Sequence, residues 1–521
     1  MADHTVDLVV VGAGAAGLLA AAAARRLGDE VLIVEAGARV GGSTTTNQGL
    51  AWLPANPAMA KAGLSDTAAE AAEYLHGLLG DAADENQAAR RAAFLRVAPK
   101  LVRWLTSSNV PMHVAKGVGD DHLRLPGAKA AGRTVQAGPI DRRLLGEQEG
   151  VLAQPSGILR DTLAKLPLPL PRRTAGGGES LVAHLLHRAL ANGVELWLDS
   201  PVTALLTEDG RVTGVVVDRD GLETPVTATR VLLATGGFEA STALRDEYLP
   251  LPTDASWTTN GPGTYGDLLT MAVGIGAATT NMADAWWRPV VLSEGRAYPV
   301  REALAHPHAM LVDAAGDRYI DETRSEDELG RAMYDHSRGV RAVPSFLVLD
   351  NRHRQSSPLG PWPQGNTPRR AIDDAEITRA GTLNDLAQAT GIDRAGLLGS
   401  VVRYNNFAAK GADADFGRGK AETAGSGKRR NPSLGKIDKS PFWAVPVYPG
   451  DAGTKGGLVT DASARVLRTD ATVIEGLYAC AATAASVFPG ACPAPGAALG
   501  EALVGALLAV TSQRPERRRE L

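Results

Sequence analysis

Asp7-Leu-Val-Val-Val-Gly12-Ala-Gly14-Ala-Ala-Gly17 is the stretch that decides the fold. Asp7 to Val11 is a short apolar, β-branched run, the composition of a strand buried on both faces, and it stops at glycine. Beyond Gly17 an Ala/Leu-rich segment runs to Arg25, Arg26 and Gly28, with strong helix formers, basic residues in the last turn and glycine past the end. Glu30-Val-Leu-Ile-Val-Glu35 reads as a second strand, which completes a βαβ unit. In Gly-x-Gly-x-x-Gly spacing, Gly12 permits the tight turn, Gly14 lets backbone approach a pyrophosphate and Gly17 allows close helix packing. Ala15 and Ala16 open the helix, whose N-terminus supplies N–H groups and partial positive charge to an anion. Glu35 ends the second strand, where a carboxylate accepts from ribose hydroxyls. The spacing and its strand-helix context predict a dinucleotide site.

Working outward, residues 60 to 110 have helical periodicity, and Gly176-Gly-Gly178-Glu-Ser opens a helix over 181–192 that leads into a strand at 194–197. Strands are predicted at 202–207, 214–218 and 230–234, separated by the turn signals Asp209-Gly210 and Asp220-Gly221. From Trp286 to Gly435 the texture changes to scattered Pro, Trp and His, with strands at 309–313 and 345–350. The organisation expected is therefore 1–285, a second domain at 286–435, and 436–521 completing the first. The Gly/Lys/Arg/Ser-rich stretch 411–435 reads as a mobile surface loop and the charged tail 514–521 as frayed.

The 521 residues, 44% hydrophobic and 21% charged, describe a globular chain with a large core. With 54 basic against 58 acidic residues, nothing in the net charge of -4 calls for nucleic acid or an anionic membrane, and small-molecule chemistry is the expected class. Cys480 and Cys492 are the only cysteines, too few for a disulfide scaffold or a four-thiolate metal site. Without a basic, uninterrupted apolar leader or a run of roughly 20 apolar residues, no membrane insertion is expected and a cytoplasmic location is. His306-Pro-His308 has no third ligand in sequence, so no metal is expected.

Glu35-Ala36-Gly-Ala-Arg-Val-Gly-Gly42-Ser43-Thr44 continues the acid into a second glycine turn, which resembles the FAD-binding enzymes of the fumarate reductase and succinate dehydrogenase flavoprotein superfamily. Ala234-Thr-Gly-Gly-Phe-Glu239, Thr264-Tyr-Gly-Asp267 and Val473-Ile-Glu-Gly-Leu-Tyr-Ala-Cys480 resemble other elements of that superfamily. Within it, the chain is similar to the 3-ketosteroid Δ1-dehydrogenases through Gly41 to Pro54, Ala285-Trp-Trp-Arg-Pro289, Asp317 to Glu322, Arg403 to Ala408, Asp413 to Gly419 and Pro449 to Gly457. The resemblance implies an α/β fold: a Rossmann-like FAD-binding domain with an inserted α+β catalytic (cap) domain. It implies FAD contacts at Gly12, Gly14, Ala15, Ala16, Gly17, Glu35, Ala36, Gly42, Ser43 and Thr44, and further contacts at Val202, Thr235, Gly236, Asp267, Ala482, Gly496 and Leu499. No histidyl or cysteinyl attachment element stands in these stretches, so the FAD is expected to be non-covalent.

Family catalysis uses tyrosines, one as base beside the ketone and another that, with a backbone N–H, polarises the carbonyl while the adjacent carbon gives a hydride to flavin N5. The register puts Glu326 at the base position, Cys492 at the carbonyl-binding tyrosine and His122 at a third site tyrosine, so all three tyrosines are replaced. Gly496 retains the helix N-terminus whose N–H would meet an enolate oxygen. A carboxylate at 326 can act as base if burial raises its pKa toward neutrality. Each residue also has a plain reading: Glu326 as a solvated helix start, His122 as a loop histidine, Cys492 as inert filler, Trp286 and Trp287 as core. The function expected is dehydrogenation beside the ketone of a steroid or smaller alicyclic substrate, with an unidentified electron acceptor. The rivals are a fumarate-reductase-like alkene reductase using Arg324, and a flavin-binding protein without catalysis.

Overall fold

The computed structural model describes residues 4–153, 174–261, 263–420 and 431–512. The chain divides into two compact units, the first from Met1–Leu244, Asn260–Asp284 and Thr454–Leu521, the second from Arg245–Thr259 and Ala285–Gly453.

The first unit is built on the decisive stretch. His4–Val11 pairs in parallel with Val31–Val34 on one side and with Leu222–Leu233 on the other, and Glu195–Trp197 and Val473–Ala479 extend the parallel sheet at the two ends. Val9 and Val10 are fully buried, as a central strand covered on both faces requires. The Ala15–Arg26 helix makes the first crossover; its residues from Ala15 to Ala24 are all buried, which the small alanine side chains allow. Val202–Glu208, Arg211–Arg219 and Leu222–Leu233 form an antiparallel meander on the sheet. Its turns carry positive φ at Asp209, Gly210, Asp220 and Gly221, the form that matches the strands' right-handed twist. The expected helices between 60 and 110 are Ala68–Leu79 and Glu85–Ser107, preceded by the short Pro57–Lys61. Ala497–Thr511, apolar almost all round, closes the unit.

The second unit has an antiparallel sheet in the order Arg296–Pro299, Ala285–Ser293, Phe442–Thr454, Ser345–Leu349, Ala309–Val312. One face packs on the helices Leu383–Thr390 and Arg394–Lys410 through a core that includes Met310, Val348, Leu386, Leu397, Val401 and Tyr404. The fold is thus the α/β architecture expected, with an α+β insertion.

Two expectations are corrected. The insertion runs to Gly453 and not to 435, because Phe442–Thr454 pairs residue for residue with Ser345–Leu349 in the middle of its sheet; it also takes in Arg245–Thr259. The stretch 411–435 is not simply a surface loop. Arg418 is fully buried, donates to Ser433 O (2.9 Å), Ala309 O (3.0 Å) and Leu304 O (2.9 Å), and pairs with Glu322 at 2.9 Å. Basic and glycine-rich composition normally means solvation, but an arginine is buried readily when its donors all find acceptors. Residues 421–430 of that stretch and the tail 514–521 lie outside the described residues.

Candidate functional site

In the first unit the three glycines have three separate physical roles. Gly12 sits at φ +103, and a Cβ there would collide with Ala234 O of the adjacent strand. A Cβ at Gly17 would collide with Gly12 O, so the helix is held hard against the turn. Gly14 differs: it caps the Ala15–Arg26 helix at φ -71, and a Cβ there would meet nothing within 4 Å. The second glycine turn lies beside it through a Gly14–Gly41 bridge, and a Cβ at Gly42 would meet only Gly14 Cα, at 3.9 Å. The result is an open cradle of bare backbone at a helix N-terminus that has no side-chain cap. Its first-turn N–H groups at Ala15, Ala16 and Gly17 suit a pyrophosphate, and the cradle fits a dinucleotide such as FAD.

Glu35 shows a role that its strand-end position does not reveal. Its Oε2 accepts from Ala13 N at 2.7 Å and its Oε1 from Gly37 N at 3.0 Å, so the carboxylate ties the two turns together. Lone pairs remain for ribose hydroxyls. Ala36 is exposed, and Ser43 and Thr44 are half-buried in the Gly42–Thr46 helix. Thr235 N donates to Thr483 Oγ1 (3.0 Å), which donates to Gly236 O (3.0 Å), linking the turn after Leu222–Leu233 to the segment that holds Ala482. Val202 is buried at the start of its strand, and Leu499 is half-buried in the first turn of Ala497–Thr511. Asp267 lies exposed at the start of Asp267–Gly274 and bonds to none of the other candidates.

The carbonyl-side candidates come together in the same unit. Gly496 caps Ala497–Thr511 at φ +94, where a Cβ would strike the backbone of Leu50 and Ala51, so only glycine fits. Its N–H has no acceptor among the described residues. Cys492 donates weakly to Ala494 O at 3.4 Å. The loop carrying His122 reaches the same segment, since Asp121 N donates to Pro493 O at 3.0 Å, while His122 itself is half-buried and its carbonyl accepts from Leu125 N.

Glu326 belongs to the second unit, as the first residue of Glu326–Ser337, behind a Ser325/Glu328 capping box. The side chain has an ion-pair partner. Arg288 Nε donates to its Oε2 at 3.2 Å, and the side chain is 19% exposed. Oε1 has no partner among the described residues and is available to take a proton. Arg324, the alternative proton donor, is 52% exposed and paired with Glu328 at 3.0 Å, which removes it from any enclosed site. Trp286 and Trp287 are core: both are buried, and Trp287 packs edge-on against Tyr334 at 5.1 Å.

Known proteins agree with this architecture. The family model described as FAD binding domain matches residues 7–499. The chain belongs to this family. It is 31% identical to a 3-oxosteroid 1-dehydrogenase of Mycolicibacterium smegmatis over 98% of this chain and 97% of that one. It is also 31% identical to a 4-oxocyclohexanecarboxylate 2-dehydrogenase of Sinomonas cyclohexanicum, covering 97% and 92%. The crystal structure of 3-ketosteroid Δ1-dehydrogenase from Sterolibacterium denitrificans, in complex with 1,4-androstadiene-3,17-dione, superposes with a TM-score of 0.89 at 34% identity, covering 98% and 99%. The resemblance drawn from the sequence is confirmed: the chain is an FAD-dependent dehydrogenase acting on CH–CH bonds.

Sequence reasoning missed several groups around the carbonyl-side segment. Tyr74, fully buried on Ala68–Leu79, donates to Pro493 O at 2.6 Å. Lys455, 1% exposed, donates to Ala491 O at 2.9 Å; it lies in the stretch Pro449 to Gly457 that carries part of the family resemblance, which assigns the lysine no role. Glu501 accepts from Ser486 Oγ (2.9 Å) and Val487 N (3.1 Å), and burial raises its pKa to about 7. Only Glu501, at the start of an otherwise apolar helix, offered a sequence signal: an acid on a face that packs inward.

Proposed function

We propose that the protein dehydrogenates the carbon–carbon bond beside the ketone of a cyclic substrate, a steroid or a smaller alicyclic ketone. The observation that carries this reading is Gly496: an N–H with no acceptor among the described residues, at a helix start where a Cβ would strike the Leu50 and Ala51 backbone. A donor fixed before reaction stabilises the charge that grows on a ketone oxygen as its neighbouring carbon loses a proton, and one such donor is worth roughly a hundredfold or more in rate. Glu326 is the proton acceptor in this reading, through Oε1, which has no partner among the described residues, while Arg288 holds the other oxygen and fixes the carboxylate's orientation. Bound FAD supplies the hydride acceptor for the adjacent carbon. Cys492, where the family has a phenol, is a weaker donor, so the backbone N–H has the larger share of the oxyanion. FAD is held without a covalent bond, and reoxidation falls to a separate acceptor.

The test is isotope exchange in deuterium oxide. Holoenzyme incubated anaerobically with a cyclic ketone should wash deuterium into the carbon beside the carbonyl faster than buffer does, and Glu326→Gln should lose that exchange while retaining FAD. Exchange at the same rate in the glutamine variant would take the base role away from this residue.

A further inference from the structure

The segment Ala491-Cys-Pro-Ala-Pro-Gly496 has almost no hydrogen bonds of its own, because two of its residues are prolines. Its carbonyls are held from outside. Lys455 Nζ donates to Ala491 O (2.9 Å), Thr134 Oγ1 to Pro495 O (3.1 Å), and Trp52 N to Gly496 O (2.9 Å). Pro493 O, in the middle, accepts two donors: Asp121 N at 3.0 Å and Tyr74 OH at 2.6 Å.

Tyr74 is itself fixed. Arg133 lies over its ring, 5.5 Å from guanidinium carbon to centroid, and the ring of Trp52 is tilted against it at 6.4 Å. Arg133 is 1% exposed and pairs with Asp66 at 2.7 Å and Asp120 at 2.8 Å, both carboxylates being buried too. Trp52 Nε1 donates to the other oxygen of Asp120 at 2.9 Å. Burial pushes the phenol up, so it stays a donor at every working pH.

We infer that Tyr74 is a positioning residue whose hydroxyl, through the Pro493 carbonyl, sets where the Gly496 N–H points and thereby how strongly the site binds an oxyanion. The inference rests on the proposed role of Gly496. A donor acts fully only when it is already aimed at the place where charge develops, so a segment free to shift by a fraction of an ångström loses much of its effect. Within the segment only the weak Cys492 Sγ–Ala494 O contact reaches its centre, and Ala497 N meets the same carbonyl at 3.2 Å; the stronger hold is on Pro493 O, where only one of the two donors is a side chain.

The experiment uses FAD-loaded enzyme and para-substituted phenols, whose phenolate oxygen imitates the enolate. Wild-type enzyme should bind 4-nitrophenolate, with affinity rising as the phenolate becomes more basic. Tyr74→Phe retains the ring and removes the hydroxyl, and should bind 4-nitrophenolate about tenfold more weakly, the order expected from losing one hydrogen bond behind an oxyanion donor. Its kcat should fall by a similar factor while KM for the ketone, FAD content and melting temperature stay near wild type, a split that a merely structural tyrosine would not give. Thr134→Val removes the donor to the next held carbonyl and should weaken phenolate binding in the same direction, which decides the matter should Tyr74→Phe not fold. Phenolate affinity and kcat unchanged in the folded variants would overturn the inference. Wild-type enzyme that binds no phenolate would instead overturn the oxyanion role of Gly496.

Discussion

Gly14 separates a binding role from a structural one more cleanly than any other residue. Its backbone is ordinary and the space around it open, so Gly14→Val should leave the protein folded yet unable to hold FAD; absorbance of the purified variant and the FAD released on denaturation measure this. Gly17→Val, which drives a side chain into Gly12 O, should fail to fold at all. Wild-type FAD content in Gly14→Val would reduce the motif to a turn. At Glu326, replacement by Gln leaves size and the Arg288 contact in place but removes the basic oxygen, so flavin reduction by a ketone should slow by roughly 10² to 10⁴. A near-wild-type rate would end its candidacy and move the search to His122. The glycines were legible in the sequence because each answers a requirement of covalent geometry within one turn. Tyr74 was not, because its partner Pro493 is 419 residues away and nothing local distinguishes it from a core tyrosine.

At the scale of elements, buried charges make the sharpest predictions. Glu322 accepts from Arg318 (2.9 and 2.8 Å), Leu311 N (3.0 Å) and pairs with Arg418 (2.9 Å), all within the second unit. Although its burial opposes ionisation, the two arginines hold its pKa down to about 2. A depressed value means stabilisation that is present above the ordinary 4.5 and lost as pH falls through about 2. Glu322→Gln should cost about 3–5 kcal/mol near neutral pH by leaving the buried Arg418 without its carboxylate and Arg318 with Asp413 alone, read as a drop in melting temperature. Glu501 on Ala497–Thr511 behaves oppositely. Burial raises its pKa to about 7, so its contribution is full below 4.5 and disappears as pH rises through about 7. Melting of wild type and Glu501→Gln at pH 5 and pH 8 should show the variant gaining relative stability at the higher pH; an unchanged difference would contradict this. The elements themselves were largely legible, since βαβ periodicity and Asp-Gly turns are local signals. The end of the insertion was not: Phe442–Thr454 pairs with a strand about a hundred residues earlier, a long-range register that composition does not carry.

At the scale of the whole molecule, the first unit carries a nucleotide cradle and a fixed backbone donor, and the second an ion-paired carboxylate, each fit for the dehydrogenation proposed above. No helix among the described residues is long and apolar enough to cross a membrane. Relatives of similar identity are named for steroid and for oxocyclohexanecarboxylate dehydrogenation, so the size of the ring is the open term within that chemistry. Holoenzyme mixed anaerobically with a panel of 3-ketosteroids and smaller cyclic ketones, followed at the flavin absorbance, measures it directly. Rapid bleaching by at least one saturated cyclic ketone is expected, with the ring-unsaturated ketone as product. Flavin that no ketone bleaches, but that after chemical reduction is reoxidised by an activated alkene, would contradict it.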